Sequence, residues 1–318
     1  MQTDNTDIDA KQSSVHKSVL LKESIIGLGL QDKNEALVID GTFGGGGHSI
    51  EILKFYPKTK VLAIDQDARA WDRARSKFTG YEKRISFQNM NFRDLEQLSK
   101  DKEGKEMADA ILLDLGLSSD QLDNSGRGFT FLKDEPLLMT MKDNPTEEDL
   151  TAKDIVNTWS EKSIADIIYG YAEERYSRRI AKAIVDHRKN KGNQEINTTG
   201  ELVEIIRSAV PAKYTKGKIH FATKTFQGLR MAVNDELNSL ENGLVGGWSV
   251  LKKGGVMAVI SFHSLEDRIV KNFYKEKLNK GEGVFLATSG KKPIVAGEEE
   301  LKNNKRARSA KLRIIQKI

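Results

Sequence analysis

Four short apolar runs, each stopped by an acid, an asparagine or a glycine, constrain this chain more than any other feature. They are Ala36–Asp40, Val61–Asp65, Ile85–Asn89 and Ala108–Leu115, and helical stretches separate them. A strand buried on both faces of a parallel sheet needs no polar alternation and reads as one continuous apolar run. Strand and helix in alternation mean an α/β fold with a doubly wound parallel sheet and right-handed crossovers. A later run, Gly254–Phe262, reads as a fifth strand, and Leu312–Ile315 as a last one.

Between the fourth strand and the fifth, the period changes. From about 150 to 245 the pattern is helical. Ile164, Ile167, Ile168, Tyr171, Ile180 and Ile184 share one side of a stretch from Ser160 to about Lys189. Thr198-Thr-Gly-Glu201 is a capping box that opens another helix. Phe226, Leu229, Val233, Leu237, Leu240 and Leu244 step by three or four, one continuous helical period. The reading is one α/β domain, residues 15–122 and 242–318, interrupted by a helical insertion over 123–241. An acidic, polar tail over 1–14 is expected to be disordered.

Composition excludes several classes of function. With no cysteine, the chain has no disulfide, thiolate metal site or cysteine nucleophile. The five histidines, His16, His48, His187, His220 and His263, show no metal-ligand spacing, and no metal is expected. No apolar run is long enough to span a bilayer, and the start lacks the basic and apolar pattern of an export signal. The expected location is the cytoplasm. The net charge of +5 is compatible with a nucleic-acid partner without requiring one. Its distribution says more. Residues 302–318 carry seven Lys or Arg and no acid, and residues 171–192 carry Arg175, Arg178, Arg179, Lys182, Arg188, Lys189 and Lys191 against three acids. Either cluster alone reads as a solvated face. Together they favour a polyanion, with Arg178, Arg179, Arg306, Arg308 and Lys311 as candidate phosphate contacts.

After the first strand comes Gly41-Thr-Phe-Gly-Gly-Gly-Gly47, and the second ends in Asp65-Gln-Asp67. Glycine lets the backbone approach a ligand, and an acid at the end of the second strand binds ribose hydroxyls in doubly wound folds. The glycines do not match the dinucleotide spacing. Asp40, at the mouth of the loop, would repel a pyrophosphate and attract a sulfonium. These marks favour S-adenosylmethionine over NAD. Phe92 is a candidate wall for the adenine, or a plain core aromatic. Asp114, at the carboxyl end of the fourth strand, is a candidate site residue, because an acid there needs a partner. Ser118 and Ser119 follow it as further candidate site residues. His263, past the fifth strand, could take a proton or hold a base. The competing reading there is a helix cap formed by Ser264 with Asp267.

Eight segments in order resemble one family. They are HKSVLL (16–21), DGTFGGGGHS (40–49), DLGLSSDQLD (114–123), RGFTF (127–131), EERYSRRIAKAIV (173–185), TKTFQGLRMAVNDEL (223–237), ISFHSLEDRIVK (260–271) and RARSAKLR (306–313). The chain is thereby similar to the methyltransferase H family of bacterial small-subunit ribosomal RNA (cytosine-N4) methyltransferases. That resemblance implies a class I S-adenosylmethionine-dependent methyltransferase fold with an inserted helical, substrate-recognition domain. It implies methylation of the exocyclic amine of one cytosine in the decoding region of 16S ribosomal RNA, within the small ribosomal subunit. A homodimer is compatible with it. It also selects Gly46, Gly47 and His48 within the glycine run, where Gly45 is a further candidate, and adds Gln121 to Asp65, Phe92 and Asp114 as cofactor contacts. The chain departs from the family pattern at Asp120, where a proline is usual, and at Leu138 and Thr140, which replace an acid and an arginine. Other readings are an amino methyltransferase for another RNA or DNA, a dehydrogenase, and a ribosome-binding factor without activity.

Overall fold

The computed structural model describes residues 18–100, 106–190, 194–286 and 290–318. The tail over 1–14, and His16 of the first matching segment, lie outside the described residues. The sheet among them has seven strands: β1 (Ala36–Asp40), β2 (Thr59–Asp65), β3 (Ile85–Asn89), β4 (Ala108–Asp114), β5 (Leu251–Ser261), β6 (Gly283–Val284) and β7 (Lys311–Lys317). Their order is β3-β2-β1-β4-β5-β7-β6. The first five run parallel; β7 is antiparallel to β5, and β6 to β7. The α/β expectation is met, and β7 covers the expected last strand. β6 had no sequence signal, because two residues show no period.

The unbroken apolar runs are explained by two cores, one on each face of the sheet. Val38, Val61, Ala110, Leu112, Val256 and Ala258 point to one. Ile39, Ile64, Ile111, Leu113, Met257 and Val259 point to the other. Helices cover both faces, so both sides of each strand bury apolar surface at roughly 25 cal/mol per Å².

A third core lies wholly outside the sheet. It joins Phe129, Ile155, Ile168, Ile184, Leu202 and Phe226. The helices that build it are Ala152–Thr158, Glu161–Ala172, Ser177–Asn190, Thr199–Ala209 and Thr223–Val233. Thr198 and Glu201 form the expected capping box. Two long helical periods are broken, however. The stretch from Ser160 stops at Glu173, a left-handed residue with φ 51°. The buried Glu174 carboxylate then accepts from the Tyr176 N–H at 2.8 Å and the Tyr214 hydroxyl at 2.6 Å, which holds the bend. The stretch from Phe226 stops at Asn234, and Asp235 (φ 48°) starts the separate helix Glu236–Val250. That helix packs Leu240, Leu244 and Trp248 onto the sheet.

Asn234 also ties the ends of the helical unit together. Its amide Nδ2 donates to the Met139 carbonyl at 2.8 Å, and its Oδ1 accepts from the Met141 N–H at 2.7 Å. The segment around Met139, which enters the helical unit after β4 has ended at Asp114, and the exit at Asp235 are thus held together in one neck.

Candidate active site

The parallel strands all end at one edge, and there the loops after β1, β2, β4 and β5 face the helical unit. Between them lies a cavity of about 910 Å³. Its far wall includes Phe129, Phe131, Met139, Met141 and Phe226 from the helical unit. That is the crevice where doubly wound folds bind ligands.

The glycine loop forms the floor. Gly41 N–H donates to the Leu112 carbonyl and Phe43 N–H to the Ile64 carbonyl, both at 2.9 Å, so the loop is pinned to its two neighbouring strands. Gly44 (φ 51°) and Gly46 (φ 71°) take left-handed conformations that a side chain would strain. A Cβ on Gly46 would also lie 2.8 Å from the Phe78 ring. Gly45, Gly47 and His48 line the cavity; Gly46 does not and acts as the turn that starts the Gly47–Phe55 helix.

Three carboxylates converge beneath this loop. Asp65 accepts from the Gly44 N–H at 2.7 Å and the Asp67 N–H at 2.9 Å. Burial pushes it up to about 6 against the pull of those two bonds. Asp40 is 2% exposed and does not line the cavity. Its oxygens accept from the Ser49 hydroxyl at 2.6 Å and the Thr42 N–H at 3.3 Å, so it braces the loop from behind. Burial raises it to about 6 as well. Asp114 does line the cavity. Its side chain is 25% exposed, yet Oδ1 is buried without a hydrogen-bond partner among the described residues. Burial, then the charges of Asp40 and Glu266, push it up to about 8.

His48 sits beside Asp114. Its Nε2 is 3.2 Å from the Val19 carbonyl, which only an N–H can satisfy. Nδ1 is therefore the lone pair, and it faces Asp114 Oδ2 at 3.7 Å. Burial holds this ring well below its usual value, at about 4, so the pair is not an ion pair at neutral pH. A proton on Asp114 suits that arrangement.

These shifts have a sign. Between the ordinary carboxylate value of 3.8 and about 8, folded Asp114 keeps a proton that the unfolded chain has lost. Its contribution to stability therefore falls as pH rises through that window. Asp40 and Asp65 act the same way up to about 6. His48 acts oppositely, but only between about 4 and 6.5. The melting temperature of the ligand-free protein should therefore fall from pH 6.5 to 8. A flat or rising melting curve over that interval would contradict the buried, protonated Asp114.

Phe92 begins a short 3₁₀ turn capped by Asn91 and lies along the cavity. Gly243 lets the Glu236–Val250 helix close on it: an added Cβ would stand 2.4 Å from the Phe92 ring. Gly243→Ala should cost about 1–3 kcal/mol by overpacking and should weaken cofactor binding by shifting Phe92. Thermal denaturation and calorimetry on the variant check both parts.

Past β4, Ser118 and Gln121 form a capping box for the helix Ser119–Asn124. Ser118 N–H donates to Gln121 Oε1 at 3.0 Å, and Gln121 N–H to Ser118 Oγ at 3.1 Å. Both residues line the cavity. The S-x-x-Q spacing was a readable cap signal for Gln121, which only the resemblance had picked out. The Ser119 side chain lies outside the described residues. Asp120 is paired with Arg73 at 2.7 Å, and Arg73 also reaches Asp67 at 3.0 Å. The extra acid beside the site is thus answered by a cation. Leu138 and Thr140 do not line the cavity, and Thr140 is buried with its hydroxyl accepting from the Lys142 N–H.

His263, rather than the expected Ser264, caps the helix Ser264–Asn279, with Glu266 as its capping partner. Histidine is outside the usual set of capping residues, which displaced the expected cap by one residue. Sequence patterns missed Arg230, Glu236 and Glu266, which line the cavity next to His263. Of the basic candidates, Arg306 reaches the cavity. Arg178, Arg179 and Arg308 are exposed elsewhere, and Lys311 pairs with Asp267 at 3.1 Å. Asp267 also holds Arg313 at 2.7 Å, so Lys311 belongs to the bracing of β7.

A family model described as the MraW methylase family matches residues 13–318. The ribosomal RNA small subunit methyltransferase H of Acaryochloris marina is 45% identical over 304 residues, covering 95% of this chain and 94% of that protein. The protein of the same name from Brevibacillus brevis is 43% identical over 317 residues, covering 95% and 98%. Among solved structures, an rRNA methylase from Streptococcus thermophilus aligns with 95% of this chain and 98% of its own, at 11% identity and a TM-score of 0.41.

Proposed function

The chain belongs to the MraW methylase family, and we propose that it transfers a methyl group from S-adenosylmethionine to the exocyclic N4 amine of one cytosine in the decoding region of 16S ribosomal RNA. The observation that carries the reading is Asp114. It is an acid with an unpartnered, buried Oδ1, set between a glycine loop and a cavity large enough for a nucleoside cofactor and a base.

S-adenosylmethionine supplies an electrophilic methyl group on a sulfonium, which favours a carboxylate nearby. In this reading Asp65 holds the ribose hydroxyls, Phe92 walls the adenine, and Gly45, Gly47, His48 and Gln121 complete the bed. Asp40 acts through the loop, by holding Ser49 and Thr42.

A cytosine amine is a weak nucleophile, because its lone pair is shared with the ring. The protein's task is to orient it and to accept its hydrogens, so that the lone pair turns towards the methyl. Orientation of this kind can supply on the order of 7–11 kcal/mol of a barrier. A sulfonium bound nearby favours the ionised form of Asp114, whose Oδ1 is then the acceptor placed for that work and for the proton that the amine releases. The Ser118 hydroxyl, already accepting from Gln121, retains its own hydrogen to donate. The Ser119 hydroxyl remains a candidate acceptor. The base has to leave its stack to enter the cavity.

The helical unit, with Arg178 and Arg179, presents the surface for RNA, and Arg306 and Arg308 extend it on the sheet side. Lys311 contributes through its Asp267 pair rather than to phosphate. The substrate is the RNA within the small ribosomal subunit, and that substrate places the enzyme in the cytoplasm. No helix among the described residues is long and apolar enough to cross a membrane. A homodimer is compatible with this arrangement. Mass mapping of 16S ribosomal RNA tests the reading, using small subunits from a strain lacking the enzyme. One cytosine should gain a methyl group on incubation with protein and cofactor. No gain, or a methyl on another base, would overturn it.

A further inference from the structure

One histidine and two glutamates meet on the cavity wall past β5. Glu236, His263 and Glu266 each bring a donor atom within 4.8 Å of the others. A divalent cation suits those atoms but not their bonds. Both Glu236 oxygens are held by the Arg230 guanidinium, at 2.7 and 2.8 Å. Glu266 Oε2 accepts from the Phe262 N–H at 2.8 Å and the His263 N–H at 3.2 Å. A cation would have to displace a half-buried arginine from its carboxylate.

What remains is a pair of atoms. His263 Nδ1 accepts from the Glu266 N–H at 3.4 Å, so the ring's own hydrogen is on Nε2. Nε2 is buried and makes no hydrogen bond among the described residues, although Glu266 Oε1 is only 3.1 Å away. A buried N–H without an acceptor is costly and rare, and it marks a place where a ligand completes the bonding. One donor and one carboxylate acceptor therefore stand side by side, 3.1 Å apart, on residues that line the cavity.

We infer that His263 Nε2–H and Glu266 Oε1 read the Watson–Crick edge of the target base and select cytosine over uracil; this rests on the reading that the substrate is a ribosomal cytosine. Cytosine offers an acceptor, N3, beside a donor, the N4 hydrogen. The N–H of His263 meets N3, and Glu266 accepts the N4 hydrogen on the N3 side. Uracil reverses both atoms, setting N3–H against N–H and O4 against a carboxylate, so both contacts become repulsive. The other N4 hydrogen is left for Asp114. Arg230 is a positioning residue: it holds Glu236, which keeps a second carboxylate from drawing the His263 hydrogen away.

The test uses small subunits carrying either the target cytosine or a uridine in its place, with S-adenosylhomocysteine for binding and S-adenosylmethionine for turnover. Wild type should prefer the cytosine particle by about 10-fold or more. Glu266→Gln keeps an oxygen for the two capping N–H groups and puts an NH₂ where Oε1 stood. It should lower kcat/KM on the order of 10- to 100-fold and erase the cytosine preference, with cofactor affinity unchanged. His263→Asn keeps a good cap and removes the Nε2 donor, and it should relax the preference as well. Wild-type preference in both variants, or a loss of cofactor affinity as large as the loss of turnover, would overturn the inference while leaving the function standing. Failure of wild type to methylate the cytosine particle would overturn both.

Discussion

Asp114→Asn protein should fold, bind cofactor and lose turnover by on the order of 10²–10³-fold, the range for removing a positioned acceptor or base. Folding should survive because the side chain makes little structure. Oδ1 has no partner among the described residues, and the bond to the Thr42 hydroxyl oxygen, at 2.6 Å, comes from the backbone N–H. Asparagine also removes the cost of holding a proton that the unfolded chain has lost, so the melting temperature at neutral pH should hold or rise. Its Nδ2 would present hydrogens to the amine where an acceptor is needed. Single-turnover methylation of small subunits gives the decisive rate. Wild-type rates in a folded variant would take Asp114 out of the chemistry.

Asp65→Ala should act on binding instead. Two ribose hydroxyls would lose a charged acceptor, each bond contributing about 1.5–3 kcal/mol. The Gly44 and Asp67 N–H groups would lose theirs too, and with them the tie between the glycine loop and β2. Cofactor Kd should rise by about 100-fold or more. Calorimetry with S-adenosylhomocysteine measures this without turnover. Asp65→Asn, which can still accept from Gly44, should fall between the two. An unchanged Kd in the alanine variant would remove the ribose assignment.

The parts of this protein legible in its sequence are those whose signal is local. Ile39, Ile111 and their neighbours read as buried strands because both sheet faces are apolar. Asp65 and Asp114 stand out because each is a carboxylate at the end of such a run. The bends at Glu173 and Asp235 were not legible, since apolar spacing on both sides continues as though the helix did. Nor was the Arg230–Glu236–His263–Glu266 group, whose members come from separate segments that meet only after the sheet is assembled. Asp40 shows a related limit. Its position at the loop was readable, but which way its oxygens turn depends on Ser49, a helix residue behind it.

The Asn234 neck bears on the order of assembly. β4 and β5 are hydrogen-bonded neighbours, yet the whole helical unit is threaded between Asp114 and Leu251. For a flexible chain, joining such distant strands carries an entropic penalty that grows by about 0.6 kcal/mol with each doubling of the loop. If the helical unit, with its own core, condenses first, Met139 and Asn234 become neighbours and the strands have far less slack to gather. Helices rich in local contacts form faster than parallel pairings in general. The unit that meets the substrate would then also serve as the clamp that lets β5 find β4, so a lesion at Asn234 should slow refolding out of proportion to its loss of stability.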